Sequence, residues 1–180
     1  VLLTPPDISG YVGADTMGCI LSTRMYAGDE ITLMVDIGTN GEMALGNKAR
    51  MTACSTAAGP ALEGAKIKFG MRGAPGAIDH VWVEDGNIQC SVIGGGKAKG
   101  ICGSGLIDAV ASLLDLGLLN ARGRLQTTEE LDGERITRLT DSVYITQNDI
   151  REVQMAKGAI AAGISLMARE LGIGISQIDK

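Results

Sequence analysis

The residues best suited to chemistry stand in one short run, Asp36-Ile37-Gly38-Thr39-Asn40-Gly41-Glu42. Gly38 and Gly41 carry no Cβ, so backbone N–H groups there can turn inward and approach an anion closely. Thr39 and Asn40 add short side-chain partners for phosphate oxygens. Asp36 closes an apolar run and suits Mg²⁺, which takes one or two carboxylates and leaves its other positions to water and substrate phosphates. The plainer reading of the same run is an Asn-Gly hairpin with a solvated Asp36. A second run, Gly100-Ile101-Cys102-Gly103-Ser104-Gly105, opens a helical pattern, and such a loop is an anion site because unpaired N–H groups and the helix dipole point outward. Gly103, Ser104 and Gly105 are its candidate contacts, with Ser104 as a simple N-cap the alternative. The run fits neither the P-loop nor the dinucleotide fingerprint. In a third run, Ala57–Gly64, Glu63 is expected in a helix's first turn, where it either favours the dipole or orients water or metal beside a phosphate. Lys66, Lys68 and Arg72 follow and read as a solvated face more readily than as a phosphate clamp.

Several chemistries lack their residues. His80 is the only histidine, flanked by Asp79 and Val81, and neither Cys102 nor Ser104 has a histidine nearby in sequence, so covalent catalysis has no support. Cys19, Cys54, Cys90 and Cys102 form no CxxC pair, which argues against zinc or cluster ligation and for reduced, partly buried thiols in a cytoplasmic protein. The net charge of −5 leaves no electrostatic footprint for a nucleic-acid partner. No apolar run approaches the ~20 residues of a membrane span, and no signal peptide is visible.

The elements that must position these residues follow from composition and pattern. A hydrophobic fraction of 45% over 180 residues, with mean hydropathy +0.17, suffices for a real core. Gly is 26 of 180, twice the usual share of ~7%, and only five residues are aromatic, so the core is Ala, Val, Ile, Leu and Met around many tight turns. A short helix is expected within Val12–Leu21, then strands over 31–36, 42–46 and 50–55 as a β-meander, with Asn40-Gly41 the turn signal. Pro60 marks a helix start with Ala61–Ala65 following. Alternation around Asp85-Gly86-Asn87 predicts a hairpin over 79–93, and Leu106, Ile107, Val110, Leu113, Leu114 and Leu118 fit a helix. Residues 120–142 read as a polar loop or small hairpin. Thr146, with Asp149 three residues on, predicts a helix start; the helix runs through Leu171 and is ended by Gly172 and Gly174. The fold class is mixed α/β.

With these motifs in place, a family likeness emerges. Asp36–Glu42, set between the first two strands of a meander, resembles a phosphate motif of the actin, sugar-kinase and 70-kilodalton chaperone superfamily of ATPases, and implies a ribonuclease H-like subdomain. Thr52–Gly64, Met71–Ile78, Gly100–Gly105 and the Asp149–Gly163 helix together resemble the C-terminal ATPase domain of reductive activators of corrinoid proteins, over nearly the whole chain from Tyr11-Val12-Gly13-Ala14-Asp15 onward. That family couples a ferredoxin-like 2Fe–2S domain to this ATPase-like domain and returns inactive Co(II) corrinoid methyl carriers to Co(I). The resemblance implies ATP and Mg²⁺ as ligands and a corrinoid protein as partner. It casts Asp36 as the magnesium carboxylate, Gly38, Thr39, Asn40 and Gly41 as the phosphate cradle, and Gly103, Ser104, Gly105 and Glu63 as weaker candidates.

The likeness is incomplete in informative ways. The superfamily's first phosphate motif and its Gly-Gly adenosine motif, expected just past Lys180, are absent, as is a cluster-binding cysteine set. With its opening Val-Leu-Leu-Thr-Pro-Pro lacking Met, the chain over 1–180 reads as a single piece of a C-terminal ATPase-like domain excised from a longer protein. Such a piece, half of an ATPase clamp, would alone neither hydrolyse ATP nor move electrons. Two alternatives stay open: a small-molecule kinase of the same superfamily, and a nucleotide-independent docking module for the corrinoid protein. The oligomeric state is open as well, a homodimer included.

Overall fold

The computed structural model describes residues 4–180, so Val1, Leu2 and Leu3 of the opening run lie outside the described residues. The chain forms two compact units, Val1–Ala58 with Lys157–Lys180 and Gly59–Ala156. Each is taken by itself.

In the first unit the β-rich runs form the expected meander: β1 (Thr32–Ile37), β2 (Gly41–Gly46) and β3 (Met51–Thr56), antiparallel with β2 central. Period-two alternation gives the sheet two apolar faces. Met34, Ala44, Met51 and Ala53 meet Ile20 of helix α1 (Ala14–Thr23) and Met25 on one face. On the other, Leu33, Met43, Leu45 and Cys54 pack with Ile160, Ile164, Met167 and Leu171 of helix α4 (Gln147–Leu171). The end of the chain lies along β1: the Leu33 N–H donates to the Lys180 carbonyl at 2.7 Å, and the Asp179 N–H to the Ile31 carbonyl at 2.8 Å.

Helix α4 starts and stops as its sequence directs. The Asp149 N–H donates to Thr146 Oγ1 at 3.0 Å and the Thr146 N–H to Asp149 Oδ2 at 2.8 Å, a reciprocal capping box. Gly172, at φ +72°, ends it in a Schellman motif, with the Ile173 N–H on the Ala168 carbonyl at 3.0 Å and the Gly172 N–H on the Arg169 carbonyl at 3.1 Å.

The second unit is built on β4 (Ala77–Glu84), which pairs antiparallel with β5 (Asn87–Val92) and parallel with the two-residue β6 (Gly100–Ile101). Helix α3 (Gly103–Asp115) packs on β4 through Leu106, Ala109 and Leu113, all fully buried. A small sheet, β7 (Glu130–Leu131), β8 (Glu134–Arg138) and β9 (Tyr144–Thr146), adds Ile136 and Ile145 to the same core. Two expectations are corrected here. The helix at Pro60 is a single turn, α2 (Gly59–Leu62), closed by Gly64 at φ +81°. Glu63 therefore follows that helix instead of occupying its first turn. Helix α3 begins at Gly103, ahead of Leu106, and stops at Asp115, short of Leu118, because Gly117 turns the chain at φ +68°.

Candidate functional site

The turn between β1 and β2 holds the residues that the sequence singles out. The strands pair as far as Ile37 opposite Gly41, leaving the loop Gly38-Thr39-Asn40, closed by the Gly38 N–H on the Asn40 carbonyl at 2.9 Å. Neither Asn40 nor Gly41 has a positive φ, so the hairpin is not the Asn-Gly turn its sequence suggests. The two glycines do different work. A Cβ on Gly38 would meet nothing within 4 Å, so the space over the loop is open to a ligand. A Cβ on buried Gly41 would come within 2.9 Å of Thr56 Oγ1 and 3.3 Å of Ala58 Cβ, so glycine there lets β2 close onto β3. Thr56 Oγ1 uses that closeness to donate to the Gly41 carbonyl at 3.3 Å.

Strand register supplies the charge. Asp36 stands directly opposite Glu42, and Glu42 opposite Ser55, in one row across the three strands. Ser55 Oγ donates to Glu42 Oε1 at 3.2 Å and holds that carboxylate in place. Two like charges directly opposite one another destabilise a sheet unless water or a cation offsets them. Glu42 belongs to the sequence motif, but reading it as a site residue requires the pairing register. Beside the loop lies a cavity of about 350 Å³ whose lining includes Tyr11, Asn40, Cys54, Ser55 and Thr56. Burial pushes the Cys54 thiol above its ordinary range, which keeps it neutral and argues against a nucleophilic thiolate there.

The residues fit Mg²⁺ carried by a phosphate ligand. Asp36 and Glu42 supply carboxylates. Among the described residues no group of three or more His, Cys, Asp or Glu is arranged to hold a metal, so a Mg²⁺ held here would take the rest of its shell from phosphate oxygens and water. They do not fit an iron–sulfur cluster: Cys19 lies on α1, Cys54 on β3, Cys90 on β5 and Cys102 before α3, all as free thiols.

The remaining predicted residues lie in the second unit. Cys102, not Ser104, takes the N-cap position of α3, and Ser104 Oγ donates to the Asp79 carbonyl at 2.8 Å. A Cβ on Gly103 would run into the Leu62 carbonyl and one on Gly105 into the Ile78 carbonyl, so both glycines let the first turn of α3 lie against neighbouring backbone. Glu63 is exposed, its N–H on the Gly59 carbonyl at 2.9 Å. His80 has a partner that its sequence neighbours do not reveal: Nδ1 contacts Asp108 Oδ2 of α3, and the ring stacks on Trp82 at 5.2 Å between centroids. Among the described residues no helix is long and apolar enough to cross a membrane.

A meander with a carboxylate-led open turn and a long helix behind it is the architecture of the ASKHA class, that of actin, the sugar kinases and the 70-kilodalton chaperones. Residues 30–180 match the family described as the C-terminal domain of RACo, the ASKHA domain, and the chain belongs to this family. It is 39% identical to the corrinoid activation enzyme RamQ of Eubacterium limosum, an alignment covering 97% of this chain and 33% of RamQ. It is 33% identical to the [Co(II) methylated amine-specific corrinoid protein] reductase of Methanosarcina barkeri, covering 99% of this chain and 36% of the reductase. Among solved structures, a reductive activator for corrinoid, iron–sulfur protein superposes with a TM-score of 0.81 at 36% identity, over 98% of this chain and 31% of that one. The chain thus spans about a third of the length of the curated relatives it matches.

Proposed function

We propose that this chain is the ATP-binding part of a reductive activator that returns Co(II) corrinoid methyl-carrier proteins to Co(I), with an iron–sulfur portion outside this chain as electron donor. One observation carries the reading: the open Gly38–Asn40 loop stands at the end of the strands that bear the Asp36–Glu42 pair, in a chain of the RACo family. Gly38 lets phosphate oxygens approach the backbone, Gly41 lets β2 close onto β3 beneath the loop, and Thr39 and Asn40 add side-chain hydrogen bonds. Asp36 and Glu42 would hold Mg²⁺, which offsets phosphate charge when bound. ATP binding or hydrolysis then drives the change in shape that makes an uphill electron transfer feasible. We place the protein in the cytoplasm with a corrinoid protein as partner, and Glu63, Gly103, Ser104 and Gly105 enter only as further positions to substitute.

The test uses the complete parent protein. An anaerobic mixture of parent, reductant, Mg·ATP and a Co(II) corrinoid protein is followed by cobalt absorbance. Co(I) is expected only with ATP, and Asp36→Ala is expected to abolish it. Unchanged activation and an unchanged ATP response in that variant would refute the nucleotide reading and leave a docking module. ATP consumption with cobalt fixed at Co(II), and a phosphorylated small molecule in the mixture, would replace it with the kinase.

A further inference from the structure

The second unit holds a cavity of about 450 Å³ that the proposed activity does not use, lined by Arg122, Arg124, Arg135, Arg151, Gln147 and Gln154 around Gly123. Four guanidinium groups border it and no carboxylate does, in a chain of net charge −5. Among the described residues only Arg135 of the four has an acidic neighbour, Glu130 at 3.9 Å, and it also donates to the Leu125 carbonyl at 3.0 Å. The side chains of Arg122, Arg124 and Arg151 make no ion pair there. The nearby Glu134 carboxylate is engaged elsewhere, accepting the Asn148 N–H at 2.7 Å.

The backbone under these arginines is braced. Asn120 Oδ1 accepts the N–H groups of both Arg122 and Arg124 at 3.0 Å. Gln147 ties the loop to α4 twice, through its amide on the Gly123 carbonyl at 2.7 Å and through its oxygen on the Leu125 N–H at 2.9 Å. Gln154, on the same face of α4, donates to the Arg122 carbonyl at 3.2 Å. Gly123, at φ +77°, holds a left-handed conformation that favours glycine, and a Cβ there would displace the Gln154 amide from the loop. The brace holds positive charges together at a repulsive cost, which a bound anion would reverse. Guanidinium groups match phosphoryl oxygens in bidentate geometry, and a braced site loses little entropy on binding.

We infer that this cavity is a second anion site, independent of the Asp36 turn, and that it takes a small molecule bearing a phosphoryl group. The test is calorimetric titration of the full chain at low salt in phosphate-free buffer, with inorganic pyrophosphate and, separately, metal-free ADP. Binding is expected to weaken about tenfold for each guanidinium removed in Arg124→Ser and Arg151→Ser. It is expected to weaken as salt rises and to persist in Asp36→Ala. Arg124→Lys retains the charge, so recovery of less than the full affinity there identifies bidentate contact. Equal affinity for both probes assigns recognition to the phosphoryl group alone, and tighter binding of ADP adds its nucleoside part; either result supports the site. No binding by either probe, binding unchanged in both serine variants, or binding abolished by Asp36→Ala would overturn it.

Discussion

Helix α4 carries two interior glycines at which the same substitution should have unequal effects. A Cβ on Gly158 would meet nothing within 4 Å, so Gly158→Ala gains only helix propensity, about 1 kcal/mol. Gly163 faces β2 and β3. There a Cβ would run into Met43 Cε and come within 2.9 Å of Thr56 Cγ2 and 3.2 Å of Cys54 Sγ. Met43 is fully buried and cannot swing into solvent, while Thr56 is held by its hydrogen bond to the Gly41 carbonyl. Overpacking of this kind costs about 1–3 kcal/mol. Helix propensity is common to the two variants, so Gly163→Ala should lie below Gly158→Ala by that cost. For a chain of this size that is roughly 2–12 °C in melting temperature. Thermal unfolding followed by circular dichroism, with all three proteins in one buffer, reads the difference. A Gly163→Ala protein as stable as Gly158→Ala would refute the claim that glycine is there to bring α4 against the strands flanking the turn.

Further outcomes follow from the same contacts. Gly38→Ala should melt within about 0.5 kcal/mol of the native chain yet bind Mg·ATP more weakly in calorimetry, because its Cβ enters open ligand space; unchanged affinity would remove Gly38 from the cradle. Asp149 is 1% exposed and accepts the N–H groups of Thr146 and Lys68, both at 2.8 Å, so Asp149→Ala should cost roughly 2–6 kcal/mol in urea unfolding at neutral pH, and a loss below 1 kcal/mol would refute the pairing. Burial raises the Cys54 and Cys90 thiols, so the unfolded chain ionises first as pH climbs. The stability they carry is full below the ordinary thiol pKa of about 8.5 and is lost above it. A Cys54→Ala/Cys90→Ala chain should therefore show a flatter stability–pH profile between about pH 8 and 10, and an identical slope would refute this.

The sequence made the meander, the long helix with its cap and stop, and the glycine-bearing loop between β1 and β2 legible because each rests on local rules. What it misplaced shows where those rules end. Asn40-Gly41 is a strong hairpin dipeptide, yet the chain turns over Gly38–Asn40, and Gly41 is spent on strand packing. Asp85-Gly86 does form the two-residue turn, with φ +49° and +75°, and Asp132-Gly133 repeats it at +51° and +78°. The second pair lies in residues 120–142, which read as a polar loop or small hairpin, and its strands are not marked because the flanks, Glu129-Glu130 and Glu134-Arg135, lack apolar alternation. Strand β6 is invisible in sequence for the complementary reason, since Gly-rich sequence reads as loop until a neighbour such as β4 pairs with it.

The same distinction separates the charges of the two candidate sites. Asp36 announces itself beside glycines, whereas Glu42 joins it only when the register sets the two opposite each other. Arg122 and Arg151 are 29 residues apart, and no motif links them; the hydrogen bonds of Gln147 and Gln154 to the 122–125 loop bring their guanidinium groups to one cavity. A local motif can be read because chain connectivity fixes its geometry. A long-range cluster becomes visible only after the packing that creates it. If Gln147 and Gln154 serve to position the arginines, the double variant Gln147→Ala/Gln154→Ala should keep all four guanidinium charges and still lose pyrophosphate affinity. Undiminished affinity would show that charge alone suffices and that the brace is only structural.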